Sequence, residues 1–221
     1  MADTQPHVRD LTGKGIRLGA VHGDLVLPAQ ARGLVLFVHG SGSSRFSPRN
    51  RAVADTLHPR GLGTLLFDLL TETEAADRRK VFDIGLLAAR VEQALAWVDR
   101  QAELAALPLG LFGASTGSAA ALRAAAEHPD AVEAVVSRGG RPDLAAEWLP
   151  QVRAPTLLIV GGEDTEVLAL NREAFTLIAG PKDLQVVPGA THLFEEPGTL
   201  AAVCRLAGTW FDTHLGQRPA R

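Results

Sequence analysis

Short runs of apolar and β-branched residues alternate along this chain with longer stretches whose apolar residues recur every three or four positions. The first pattern suits buried strands and the second amphipathic helices, so the alternation predicts βα units on a mostly parallel sheet. The chain opens differently. Residues 15–18 and 24–27 lie close together around Val21-His22-Gly23, which predicts an antiparallel pair at the sheet edge. Residues 33–38 (GLVLFV) are apolar on both faces and predict a fully buried strand. Ser47-Pro48 then opens a helix over 49–58, with Ser47 as cap and Pro48 in its first turn.

A second buried strand is predicted at 63–67, followed by a polar loop with Glu72, Glu74 and Asp77. The longest helix is expected over 82–100, where Ile84, Leu87, Val91, Leu95 and Val98 form one apolar stripe. Further strands are expected at 109–112, 132–136, 156–160 and 184–187, and helices at 116–127, 167–177 and 199–215. The stretch between 136 and 156 is too short for a cap domain. Nothing reads as a repeat or an interdomain linker, so 1–221 is expected to be one domain, with 1–10 and 216–221 as flexible tails.

Composition narrows the classes. With 46% apolar and 21% charged residues the chain is globular rather than disordered. Twenty-two basic against 25 acidic residues give a net charge of −3, no general attraction for nucleic acid or an anionic membrane. The single cysteine, Cys204, excludes an internal disulfide or a cysteine-cluster metal site, and its helical setting suits a small buried apolar group. No apolar run approaches the ~20 residues that span a bilayer, and the first residues lack the basic start and apolar stretch of a secretion signal. A cytoplasmic protein is expected, as monomer or weak homodimer.

The strongest chemical signal is Gly113-Ala114-Ser115-Thr116-Gly117, a G-x-S-x-G pattern between a predicted strand and an alanine-rich predicted helix. A sharp strand-to-helix turn exposes the serine, and small flanking residues let neighbouring backbone pass close by. The amides opening the helix would face an oxyanion formed there.

A serine hydroxyl needs a base. Of seven histidines, His192 is the best placed, in a loop between the last predicted strand and the last helix, at the carboxyl edge of the sheet where Ser115 also sits. His39 reads as a structural residue of its loop. The acid that orients the base is expected to be Asp164, just after the strand 156–160; the adjacent Glu163 points away. Asp68, at the end of 63–67, is a competitor whose ordinary role would be to bond loop backbone. The order Ser115, Asp164, His192 is the one expected for this architecture. The loop His39-Gly40-Ser41-Gly42-Ser43-Ser44 would supply a second oxyanion donor, so the backbone N–H groups of Ser41 and Thr116 are assigned to the oxyanion hole. It lacks the lysine and spacing of phosphate-binding loops.

These pieces together resemble the α/β-hydrolases. The matching segments are the strand leading to His39-Gly40-Ser41-Gly42, the Gly113–Gly117 elbow, Gly161-Gly162-Glu163-Asp164, and Gly189-Ala190-Thr191-His192. Small size and lack of a cap are similar to the dienelactone hydrolase-like group. The resemblance implies an eight-stranded, mostly parallel sheet with helices on both faces, and hydrolysis of carboxylic esters or lactones through an acyl-enzyme. One departure is the nucleophile, Ser115 here and cysteine in true dienelactone hydrolases, so lactone specificity is not carried over.

The expected substrate is a small-molecule ester with a short or exposed acyl group, with no metal or organic cofactor. Phe46, Leu193, Trp148, Leu149 and Phe194 are candidates for an apolar wall, and Arg45, Arg138 and Arg141 for holding an anionic substituent at the rim. The same parts would serve an acyltransferase or perhydrolase, or a hydrolase-fold receptor with little turnover.

Overall fold

Each residue of the run Gly33–Val38 (β3) is buried, because the strand lies inside the sheet with helices against both faces. The computed structural model describes residues 13–216. Its other strands are Gly13–Leu18 (β1), Val21–Val26 (β2), Leu62–Phe67 (β4), Leu109–Ala114 (β5), Ala134–Arg138 (β6), Thr156–Gly161 (β7) and Lys182–Val187 (β8). They form one sheet in the order β1-β2-β4-β3-β5-β6-β7-β8. The first pair and the β2–β4 contact are antiparallel and every later pairing is parallel. The fold is therefore the expected α/β one.

Five longer helices cover the faces: Pro48–Leu57 (α1), Ile84–Asp99 (α2), Thr116–Glu127 (α3), Thr165–Leu177 (α4) and Thr199–His214 (α5). Leu36, Val38, Leu65 and Leu111 pack with Leu87 and Val91 of α2 and Ala120 and Ala124 of α3. The opposite face, with Val35, Phe37, Phe112 and Ile159, packs against Val53 of α1 and Val203 and Phe211 of α5. Alternate residues of one strand thus feed the two cores. Cys204 is buried on α5, and burial pushes its thiol up.

Some boundaries moved for local reasons. The helix expected over 82–100 starts at Ile84, since the Asp83 carboxylate accepts from Leu86 N and caps it. The loop before it contains two single helical turns, Glu72–Ala75 and Arg78–Val81, the first closed by a capping box of Thr71 and Glu74. Strand β6 runs two residues further than expected, to Arg138, because Ser137 and Arg138 pair with Gly113 and Ala114. Between β6 and β7 stand only the 3-10 turns Pro142–Ala145 and Leu149–Gln151, in place of a cap. Of the expected tails, 1–10 and 217–221 lie outside the described residues. Among the described residues no helix is long and apolar enough to cross a membrane.

Candidate active site

Strand β5 ends at Ala114 and α3 begins at Thr116, leaving Ser115 alone in the turn at φ 50° and ψ −125°. A non-glycine residue in this region is strained, and surrounding bonds must hold it there. They do. Ser115 N donates to Arg138 O at 3.3 Å, and Ser115 O accepts from Ser118 N, Ser118 Oγ and Arg141 N at 2.8–3.1 Å. Close approach explains the flanking glycines: a Cβ on Gly113 would lie 2.5 Å from Ser118 Cα, and one on Gly117 2.2 Å from Val38 O.

Asp164 follows β7 and occupies the cap position of α4, yet its side chain makes no capping bond. Its carboxylate is turned instead to the loop after β8, where Oδ2 lies 2.7 Å from Nδ1 of His192. The two loops are pressed together: Glu163 N donates to Ala190 O at 3.0 Å, and a Cβ on Gly161 would lie 2.3 Å from that oxygen. Thr191 is tied to Glu196 through both its hydroxyl and its amide, and Phe194, at φ 56°, is buried beneath the loop. The imidazole lies against Gly139, next in sequence to the residue that accepts from Ser115 N. Serine and histidine therefore flank the end of β6, and with Nδ1 bonded to Asp164 it is Nε2 that is left for a further partner. Glu163 is exposed, as expected.

His39 is the structural residue that its position suggested. Its Nδ1 bonds Gly40 O and its Nε2 accepts from Leu69 N, each at 2.9 Å. Burial pushes its pKa down, so the ring stays neutral and clamps the loops after β3 and β4. Beyond it, Ser41 N donates to Thr116 Oγ1 at 2.9 Å, so one of the two expected oxyanion donors is already occupied. A cleft of about 780 Å³ opens alongside, bordered by Ser41, Thr116, Phe46, Leu69 and Thr71.

A family model described as the dienelactone hydrolase family matches residues 51–205. The chain belongs to the dienelactone hydrolase family. A crystal structure of a dienelactone hydrolase from Anabaena variabilis is 53% identical and superposes with a TM-score of 0.87 over 92% of this chain and 97% of that one. Est1E from Butyrivibrio proteoclasticus shares the fold at 14% identity and a TM-score of 0.74, covering 86% and 93% of the two chains. Two curated proteins of Mycobacterium tuberculosis are 58% identical over 195 residues, 88% of this chain. They carry the provisional name phosphoribosyl transferase, but the match spans only 44% of their length.

In this dienelactone hydrolase-family protein the residues expected to contact substrate fare unevenly. Arg45 borders the cleft but is already paired: it forms ion pairs with Asp68 and Asp24, and its own amide donates to Asp68 Oδ1. Asp68, the competitor for the acid role, is thereby a loop-bonding residue. Arg141 is also spent, its Nε and Nη2 gripping Asp143 at 2.9 and 2.7 Å. Both pairings share one cause, a carboxylate at hand that the folded chain places against the guanidinium. Phe46 and Leu193 are exposed at the rim. Trp148 instead stacks on Arg123 of α3 and Leu149 is buried in the core.

Arg138 is not at the rim at all; it is buried, with Asn50 Oδ1 3.4 Å from Nη2. Sequence reasoning missed Arg49, Ser118 and Asn171. Ser118, three residues after Ser115 and so on the same helical face, carried a usable signal. Asn171 carried none; its Nδ2 donates to Gly140 O across the fold.

Proposed function

We propose that this hydrolase cleaves carboxylic esters by a serine mechanism, with Ser115 as nucleophile, His192 as base and Asp164 as the acid that orients it. The observation that carries this reading is the 2.7 Å contact of Asp164 Oδ2 with His192 Nδ1 beside a strained Ser115. Ser115 Oγ attacks the acyl carbonyl while His192 Nε2 removes its proton, and the carboxylate steadies the resulting imidazolium. The amide of Thr116, at the positive end of α3, and that of Ser41 face the developing oxyanion. His192 then returns the proton to the leaving alcohol. Water activated by the same nitrogen releases the acid from the acyl-enzyme. The open cleft beside Thr116 suits a short acyl group or an exposed ester on a larger molecule.

The test is hydrolysis of p-nitrophenyl esters from acetyl to dodecanoyl by wild type and Ser115→Ala. Turnover that falls with chain length and is lost in the variant supports the reading; wild-type rates in Ser115→Ala overturn it. In Asp164→Asn, kcat should drop by about 10²–10⁴, the scale of a misoriented base.

A further inference from the structure

Strand β6 ends in a charge without a counter-charge. Arg138 is 7% exposed, and among the described residues no carboxylate pairs with it. Its neighbours are Asn50, the Phe194 ring at 5.8 Å, and a second cation, Arg49. Arg45 and Arg90, also set deep in the fold, each hold a carboxylate. Burial and the Arg49 charge push the Arg138 pKa down to about 10, which leaves it charged near neutral pH. Arg49 itself bonds the exposed Glu195 through Nη1 at 3.0 Å, while its Nε is buried and unpartnered.

Both arginines belong to elements that meet beside the site. Arg138 O accepts from Ser115 N, and Phe194 and Glu195 follow His192 on its loop. Arg49 stands in the first turn of α1, whose dipole adds positive potential at the same place. A packing role would be met by an apolar side chain at lower cost, since an unpaired buried guanidinium is strongly disfavoured. A bound anion removes that cost.

We infer that Arg138 and Arg49 form an oxyanion subsite next to the nucleophile, which holds a phosphate or carboxylate group carried by the ester substrate. Two neighbouring guanidiniums and a helix end favour the doubly charged phosphate over a carboxylate. The subsite rests on the serine-hydrolase reading for its role in turnover, but not for its ability to bind an anion.

The experiment therefore has a binding arm and a turnover arm. Inorganic phosphate and acetate are titrated calorimetrically into wild type, Arg138→Met and Arg49→Met, with melting curves to confirm folding. Phosphate should bind wild type, with affinity falling about tenfold or more in either variant, the scale of a lost charged hydrogen bond. Tighter binding of phosphate than acetate assigns a phosphorylated substrate; the reverse order assigns a carboxylate. In the turnover arm, kcat/KM for p-nitrophenyl esters of 5-phosphonopentanoate and adipate is divided by that for hexanoate. The ratio should exceed ~10 in wild type and approach one in Arg138→Met, a comparison in which general losses cancel. Anion binding that is the same in wild type and both variants, or absent from wild type, overturns the subsite. Arg138-dependent binding without hydrolysis of any ester leaves the subsite standing and defeats the hydrolase reading instead.

Discussion

The amide of Ser41 and the hydroxyl of Thr116 are bonded to each other at 2.9 Å, although Ser41 is one of the donors assigned to the oxyanion. The hydroxyl is a neutral acceptor, and an oxyanion is a stronger one by roughly a factor of two in bond strength. In the proposed mechanism the donor exchanges partners as the tetrahedral intermediate forms. Thr116→Val keeps the branched shape and the backbone N–H but removes the competing acceptor. Stability should fall by about 1 kcal/mol or less, the net worth of one such bond. The turnover number should rise several-fold, because the oxyanion then gains a donor with no competing acceptor. Melting curves and kcat on a short ester check both halves. A fall in kcat would mean that the bond orders the loop and that Ser41 is not a donor.

His39 makes the fold sensitive to mild acid. Burial lowers its pKa in the folded protein, so in the unfolded chain it takes up a proton at a higher pH. Its contribution is fully present above pH ~6.5, the unfolded value. It is lost as pH falls from there through the lower folded pKa, because unfolding then binds a proton. His58 and His214 are lowered by burial too and act with the same sign. The carboxyl of Glu74, lowered by its bond from Thr71 N, acts only at more acid pH. His39→Leu isolates the first effect. Urea midpoints should place it about 1–3 kcal/mol below wild type at pH 8, since Leu69 N loses its acceptor. The gap should narrow by pH 5.5. A gap that is constant with pH would show that His39 is not held neutral.

What the chain discloses of this fold follows from what is local. Strands such as β3 and β5 are apolar on both faces, and their ends locate Ser115, Asp164 and His192 at one edge without tertiary information. Asp164 and Asp68 each follow the end of a strand, and only the folded chain shows Asp164 turned to His192 and Asp68 held by Arg45. Arginine placements were hidden for the same reason. A guanidinium at a strand end looks exposed in sequence, and only the folded chain shows Arg141 on Asp143 and Arg138 buried beside Asn50 of α1 and Phe194. The Ser41–Thr116 bond joins residues 75 positions apart and depends on one hydroxyl rotamer, which no periodicity encodes.

The Arg45–Asp68 pair separates structural from substrate-binding arginines. Both side chains are mostly shielded from solvent, 19% and 14% exposed, and Arg45 also lies 3.5 Å from Asp24. Removing one partner leaves a partly buried carboxylate, so Arg45→Gln should cost about 1–3 kcal/mol. A double-mutant cycle with Asp68→Asn should return a coupling of about 1 kcal/mol or more. The ratio of anionic to neutral ester turnover should be the same as in wild type, since this guanidinium is already spent. A loss of anion preference in Arg45→Gln would return Arg45 to the substrate site.

Gly117 links the elbow to the oxyanion loop by contact rather than by chemistry. Alanine is ordinarily the better helix residue by about 1 kcal/mol. At this place in α3, however, a Cβ would stand 2.2 Å from Val38 O and 2.3 Å from His39 O, backbone atoms that cannot swing aside. Gly117→Ala must therefore push α3 away from the end of β3, moving Thr116 and Ser115 relative to Ser41. Overpacking of this kind costs about 1–3 kcal/mol, reversing the sign expected from propensity. The larger effect should be on kcat, because a shift near 1 Å in the oxyanion donors is worth about 10²-fold in rate. Melting temperature and kcat of the variant, read together, decide it. A variant at least as stable as wild type with normal turnover would show that α3 does not press on β3 as closely as these distances require.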